Sequence, residues 1–261
     1  MEEWKNKWAL ITGASAGIGM ALAEVLAAGG AHLVLTARRK ERLEDLAKRL
    51  HAQYRINVEL FAADLAQPIA PEEIFRYTKQ KGIEVELLIN NAGFGQYGEF
   101  HKVELPRLLD MVQVNCSAVL HLTRLYLPDM VARRRGDILI LASTTAFQAV
   151  PYVSTYAATK VFDLFLAEGL AEELKAYGIR VCALCPGTTT SEFHEAAGHP
   201  PGAKGREESA EKVARTGLAA LTAGKSYVIS GLGNYLGVQG QRLVSRRFVT
   251  RIAANMLRPR S

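Results

Sequence analysis

Tyr156 and Lys160 lie four residues apart in the run Ser154-Thr-Tyr-Ala-Ala-Thr-Lys160. On a helix that spacing puts both side chains on one face, one turn apart. A phenol can pass a proton, and a neighbouring cation favours its phenolate. Standing alone, the pair is better explained by packing and surface charge, because a match this short recurs by chance. It acquires meaning only if a nucleotide, a carbonyl and an oxyanion donor can be placed around it.

The N-terminal third supplies the nucleotide. Trp8 to Thr12 is a short apolar run of the kind that forms a fully buried strand. It leads into Gly13-Ala-Ser15-Ala-Gly17-Ile18-Gly19, and Met20 to Ala28 reads as helix. Strand, glycine-rich turn and helix together make a dinucleotide site. The glycines let backbone approach a pyrophosphate, and the helix N-terminus attracts its charge. A second strand, 31–36, ends at Ala37-Arg38-Arg39, with no acid to bind a ribose 2′-hydroxyl. Two arginines there suit a 2′-phosphate instead. Arg39 equally fits the solvated start of the next helix, whose apolar stripe is Leu43, Leu46, Ala47 and Leu50.

The pattern continues. Val58 to Ala62 is a third strand, followed by Asp64-Leu65. Asp64 can accept from an adenine amine or cap a helix. A helix from Pro71 to Gln80 precedes a fourth strand, 86–89, and the turn Asn90-Asn91-Ala92-Gly93. Leu105 to Val131 reads as one long helix containing Asn115, a residue mildly unfavourable in a helix interior. The fifth strand, 137–142, ends at Ser143-Thr144; the helix bearing Tyr156 and Lys160 runs to about Tyr177. Ile179 to Leu184 is the sixth strand, broken by Pro186-Gly187 and followed by Thr188, Thr189, Thr190 and Ser191. A loop rich in Pro, Gly and charge, 199–206, precedes a helix over 207–222 and a last strand at 227–230. Seven alternations predict a doubly wound parallel α/β sheet, a Rossmann fold in one domain, with its ligand at the carboxyl edge. Every residue singled out falls at that edge.

Composition adds limits. With 261 residues, 49% hydrophobic and 22% charged, the chain is ordinary for a globular protein with a sizeable core. No apolar run approaches the roughly eighteen residues that span a bilayer, and Met1 to Lys5 does not read as a signal peptide. Cys116, Cys182 and Cys185 are odd in number. Cys182 and Cys185 sit three apart, but on a buried strand and its end. All three are expected to be reduced and structural in a cytoplasmic setting, with no metal. The net charge of +6 is concentrated: 225–261 carries one Lys, six Arg and no acid, leaving −1 for the remainder. A nucleic-acid protein would spread such charge over a working face.

These motifs resemble the short-chain dehydrogenase/reductase family, in its shorter single-domain branch, over about Lys7 to Ser230. Thr12-Gly13-x-x-x-Gly17-x-Gly19, Asn90-Asn91-Ala92-Gly93, Tyr156-x-x-x-Lys160, Ser143 thirteen residues before Tyr156, and Pro186-Gly187 carry the resemblance. It implies Tyr156 as general acid or base, and Lys160 holding the nicotinamide ribose while depressing the phenol's pKa. Ser143 would bind the substrate oxygen, and Asn115 would anchor a water for proton relay. Gly13, Ser15, Gly17, Ile18 and Gly19 would line the pyrophosphate. Asp64 and Leu65 would meet the adenine, and Asn91, Ala92 and Gly93 the adenosine ribose. Pro186, Gly187, Thr188, Thr189 and Ser191 would lie at the nicotinamide amide. Arg38, with Arg39, points to NADP (NADPH) over NAD, although Ser15 stands where many NADP-preferring relatives carry a second basic residue. A homodimer or homotetramer is implied.

The substrate pocket is expected to be walled by Phe94, Phe147, Tyr152 and Phe193, favouring a hydrophobic carbonyl or alcohol. The catalytic domain is expected to span 1–231, with a substrate loop at about 188–206. A basic tail, 232–261, is expected to be helical, with Val244, Phe248, Ile252 and Met256 on one stripe and Val249 beside it. That tail fits a membrane surface, a lid, a subunit contact or simple packing on its own domain. A non-catalytic NADP(H)-sensing protein on the same fold is the rival reading, and the presence of Ser143, Tyr156 and Lys160 argues against it. An epimerase or dehydratase would need a longer substrate domain.

Overall fold

The computed structural model describes residues 2–190, 197–198 and 207–259. Seven parallel strands form one sheet: β1 (Trp8–Thr12), β2 (His32–Ala37), β3 (Val58–Ala62), β4 (Val85–Asn90), β5 (Gly136–Leu141), β6 (Ile179–Cys185) and β7 (Tyr227–Ile229). Their order is β3-β2-β1-β4-β5-β6-β7. The chain winds outward in both directions from the β1–β4 pair, so connections leave that pair on opposite sides. A crevice opens there at the carboxyl ends of the strands.

Strand residues alternate between two cores. Ala9, Ile11, Leu33, Leu35, Leu87 and Ile89 pack against α1 (Gly17–Ala28), α2 (Lys40–Tyr54) and the later helix α7 (Ala210–Thr222). Their neighbours Leu10, Val34 and Leu88, with Ile138 and Ile140, pack on the other face. There they meet α3 (Ala70–Gln80), α5 (Ala118–Ala132) and α6 (Ser154–Leu174). Burial on both faces is why these strands read as continuous apolar runs rather than alternating ones.

The expected long helix over 105–131 is two helices. α4 (Leu105–Val112) and α5 are joined by a π-helical segment, Gln113–Ser117, that contains Asn115. A π segment shifts the hydrogen-bond register and re-aims the side chains within it, often at functional sites. The tail is also two helices, α8 (Leu232–Gly240) and α9 (Arg246–Leu257). Among the described residues no helix is long and apolar enough to cross a membrane.

Candidate active site

The glycine-rich turn is locked to the end of β4. Thr12 Oγ1 accepts from the backbone N–H groups of Asn91 and Ala92, both at 2.9 Å. Asn91 Nδ2 donates back to the carbonyl oxygens of Thr12 at 2.8 Å and Gly13 at 3.3 Å. Gly13 has φ +67°, and a Cβ there would stand 2.9 Å from Asn91 Nδ2. At Gly19 a Cβ would stand 2.4 Å from both Asn91 Nδ2 and the Gly13 carbonyl oxygen. Side chains are excluded, which leaves the backbone open to a ligand. The N-terminus of α1 points there, with no side-chain cap and no acid in its first turn. Unpaired N–H groups and an uncompensated helix dipole attract a phosphate.

At the end of β2 both arginines reach the same cleft. The Arg39 side chain does more than begin a solvated helix face. Its Nε and Nη2 donate to Ser15 Oγ at 3.4 and 3.2 Å. The guanidinium therefore lies over the turn position where the sequence itself lacks a basic residue. Asp64 faces the cleft, and its Oδ1 accepts from the Ala66 N–H at 3.1 Å, so it also closes a local turn.

Across the cleft α6 presents Tyr156 and Lys160. Lys160 is buried, and its Nζ donates to the Leu141 carbonyl at 2.6 Å and to Asp163 Oδ2 at 2.9 Å. It lies 5.8 Å from the centre of the Tyr156 ring. Asn115 Oδ1 accepts from the Phe94 N–H at 3.1 Å, while its Nδ2 donates to the Phe94 carbonyl and to Thr159 Oγ1, both at 3.0 Å. These bonds brace α6 against the strand-end loop. Gly93 completes the wall: a Cβ there would come within 3.2 Å of Asn115 Oδ1 and 3.4 Å of Lys160 Nζ. Ser143, two residues beyond β5, is buried, and its Oγ accepts from the Thr145 N–H at 3.2 Å.

Burial raises the Tyr156 phenol's pKa above its ordinary value, opposed by the Lys160 charge and a hydrogen bond with Ser143, and aided by Asp163. Lys160 thus lowers this pKa as expected, but only as a partial offset to the rise that burial imposes. Asp163 is a member of the site that the sequence reading missed. It is fully buried, burial pushes its carboxyl up to about 6, and Lys160 pulls against that rise. Its Oδ1 has no hydrogen-bond partner among the described residues. Tyr156, Lys160, Asp163 and Ala167 follow one helical stripe, which was the signal available in the sequence.

The cleft encloses about 570 Å³. It brings together Gly13, Ser15, Gly17, Ile18, Gly19, Arg38, Arg39, Asp64, Leu65, Asn91, Ala92, Gly93, Phe94, Ser143, Tyr156, Lys160, Pro186, Gly187, Thr188 and Thr189. Ser191 and Phe193, and the loop expected over 199–206, fall outside the described residues. Two expected pocket walls are corrected. Phe147 does not line the cleft; it packs into the core with its ring 5.9 Å from that of Tyr227. Tyr152 is not among the cleft's lining residues either; its backbone lies in the left-handed region (φ 68°) and its carbonyl accepts from the Gly98 N–H at 2.9 Å. The apolar wall is made instead by Phe94, Val114, Val150, Val153 and Leu257. Arg107, 4.1 Å from the centre of the Phe94 ring, stands at its rim.

The sequence profile described as short chain dehydrogenase matches residues 7–201. This chain belongs to the short-chain dehydrogenase family. A very-long-chain 3-oxoacyl-CoA reductase-A from Danio rerio is 37% identical over 185 residues, covering 69% of this chain and 57% of that protein. The chain thus spans little more than half of that relative. A short-chain dehydrogenase from Sphingobium yanoikuyae, solved in complex with NADPH, is 32% identical with a TM-score of 0.83, covering 91% of this chain and 93% of that one. A bulky-bulky ketone specific alcohol dehydrogenase from Comamonas testosteroni is 28% identical with a TM-score of 0.78, covering 91% and 92%.

Proposed function

We propose that the protein is an NADP(H)-dependent oxidoreductase that moves a hydride between nicotinamide and the carbonyl or alcohol carbon of a hydrophobic substrate. The observation that carries this reading is the convergence of Ser143, Tyr156 and Lys160 on the cleft that also holds the glycine-rich turn. The residues fit a dinucleotide. The open N-terminus of α1 suits its pyrophosphate, the crowding at Gly13 and Gly19 keeps the backbone bare, and Arg38 and Arg39 suit a 2′-phosphate. When bound, the cofactor would supply or accept the hydride.

The chain's own residues handle the proton. In carbonyl reduction the Tyr156 phenol gives its proton to the substrate oxygen as negative charge develops there. Its raised pKa keeps that proton in place at neutral pH. Ser143 Oγ hydrogen-bonds the same oxygen. Lys160, held by Leu141 and Asp163, stabilises the phenolate left behind. Alcohol oxidation reverses these roles.

Phe94, Val150, Val153 and Leu257 favour an apolar substrate body. That lining, with the relatives' names, supports a 3-oxoacyl thioester or a bulky ketone. Exposed Leu105, Leu109, Val112, Leu120, Phe162 and Phe165 on α4, α5 and α6 support pairing of two copies through those helices. NADPH consumption should be measured over saturated 3-oxoacyl thioesters of increasing length. The expected kcat/KM rises about threefold or more with each methylene that the cleft buries, then levels off. A flat profile, or a preference for polyhydroxylated sugars, overturns the hydrophobic assignment.

A further inference from the structure

Of the two apolar rows on α9, the structure turns the smaller one inward. Ala253 is buried against Val150, Val153 and Ala157, and Leu257 packs beside it. The stripe read from the sequence, Phe248, Ile252 and Met256, is exposed at 53%, 45% and 78%. Leu243 and Val244, leading into the helix, are exposed too. Spacing at i, i+4 and i+8 makes this one continuous outward stripe. Arg247 and Arg251 run alongside it, also four residues apart, and Arg242, Arg246 and Arg258 flank its ends. None of these five arginines has an ion-pair partner among the described residues.

We infer that α9 docks on an anionic lipid surface, with the Phe248–Ile252–Met256 stripe in the acyl boundary and the arginines at headgroup phosphates. An exposed apolar stripe edged by unpaired cations is the signature of an interfacial helix. Charge selects the occupant. A second copy of this chain would bring the same arginines against each other, whereas a lipid surface rich in acidic headgroups offers the opposite sign. The tail, 232–261, supplies six arginines and no acidic side chain. Geometry adds a consequence. Leu257, at the end of α9, lines the cleft, and its carbonyl accepts from the Tyr97 hydroxyl at 2.7 Å. The docked helix would therefore end at the mouth through which a lipid-soluble substrate enters. Docking itself stands independently of the substrate reading.

The test is co-sedimentation of the full chain with vesicles of phosphatidylcholine containing about one-third phosphatidylserine, against phosphatidylcholine alone. The protein is expected to pellet with the acidic vesicles and to be released by high salt. The double variant Arg247→Gln/Arg251→Gln should bind them about thirtyfold more weakly. Phe248→Ser should also weaken binding, while both variants keep the wild-type thermal midpoint because the altered side chains are exposed. Equal pelleting with both vesicle types, equal binding by the arginine variant, or no pelleting at all overturns the proposal. So does a lipid-independent dimer that Phe248→Ser dissociates, since the stripe would then be an interface between copies.

Discussion

Tyr156→Phe is expected to lower kcat about a thousandfold, within the range by which a positioned proton donor accelerates a reaction. The substitution removes one oxygen and leaves the ring, so packing around α6 is unchanged. Cofactor affinity should stay within about twofold, because Lys160 remains held by Leu141 and Asp163. Steady-state kinetics and a cofactor titration on the same preparation separate these effects. The pH profile carries a further sign. Reduction needs the protonated phenol, whose pKa is raised, so reduction should persist across neutral pH and fall only in alkali. Oxidation needs the phenolate and should climb with pH. A variant with near-wild-type kcat would remove Tyr156 from the chemistry.

Asp163→Asn is expected to change how stability depends on pH. An ordinary aspartate titrates near 4. In the folded protein burial pushes Asp163 up to about 6. Between those values the folded state binds more protons than the unfolded state. The group's stabilising contribution is therefore fully present below about pH 4 and is lost as pH rises through about 6. At about 1.4 kcal/mol for each pKa unit, the wild type should lose about 3 kcal/mol relative to Asp163→Asn between pH 4 and pH 7. The site is fully buried, so solvent screening does not reduce this figure. Urea unfolding of both proteins across that range measures the difference directly. Parallel curves would mean that the carboxyl is not desolvated as the structure shows. At neutral pH the carboxylate fixes the Lys160 ammonium beside Tyr156, and that placement is what its burial supports.

Much of this could be read from residue types. Parallel strands buried on both faces leave unbroken apolar runs, and β1 falls on the residues such a run indicates. Glycines at positions 13, 17 and 19, and the four-residue step from Tyr156 to Lys160, are constraints of backbone approach and helical geometry, so they are visible locally. Features set by tertiary contact were not. The π segment at Asn115 is a change of hydrogen-bond register with no compositional mark. Asp163 shares a helical stripe with Tyr156 and Lys160, but its burial is set only when α6 is laid against the sheet and the π segment. Phe147 has the right chemistry for a pocket wall, but it packs into the core against Tyr227. On α9 two apolar rows compete, and periodicity does not choose between them. Ala253 faces inward because its small side chain allows close approach to Val150, Val153 and Ala157.

The measurement closest to the centre of this account is a fluorescence titration of NADPH and of NADH into wild-type protein and Arg38→Ala. The predicted result is NADPH binding at least about tenfold tighter than NADH, from charge-assisted hydrogen bonds to the 2′-phosphate. Arg38→Ala should lose most of that preference and leave NADH affinity nearly unchanged. Binding of neither nucleotide by the wild type would contradict the account, reducing the glycine-rich turn to a structural bend between β1 and α1.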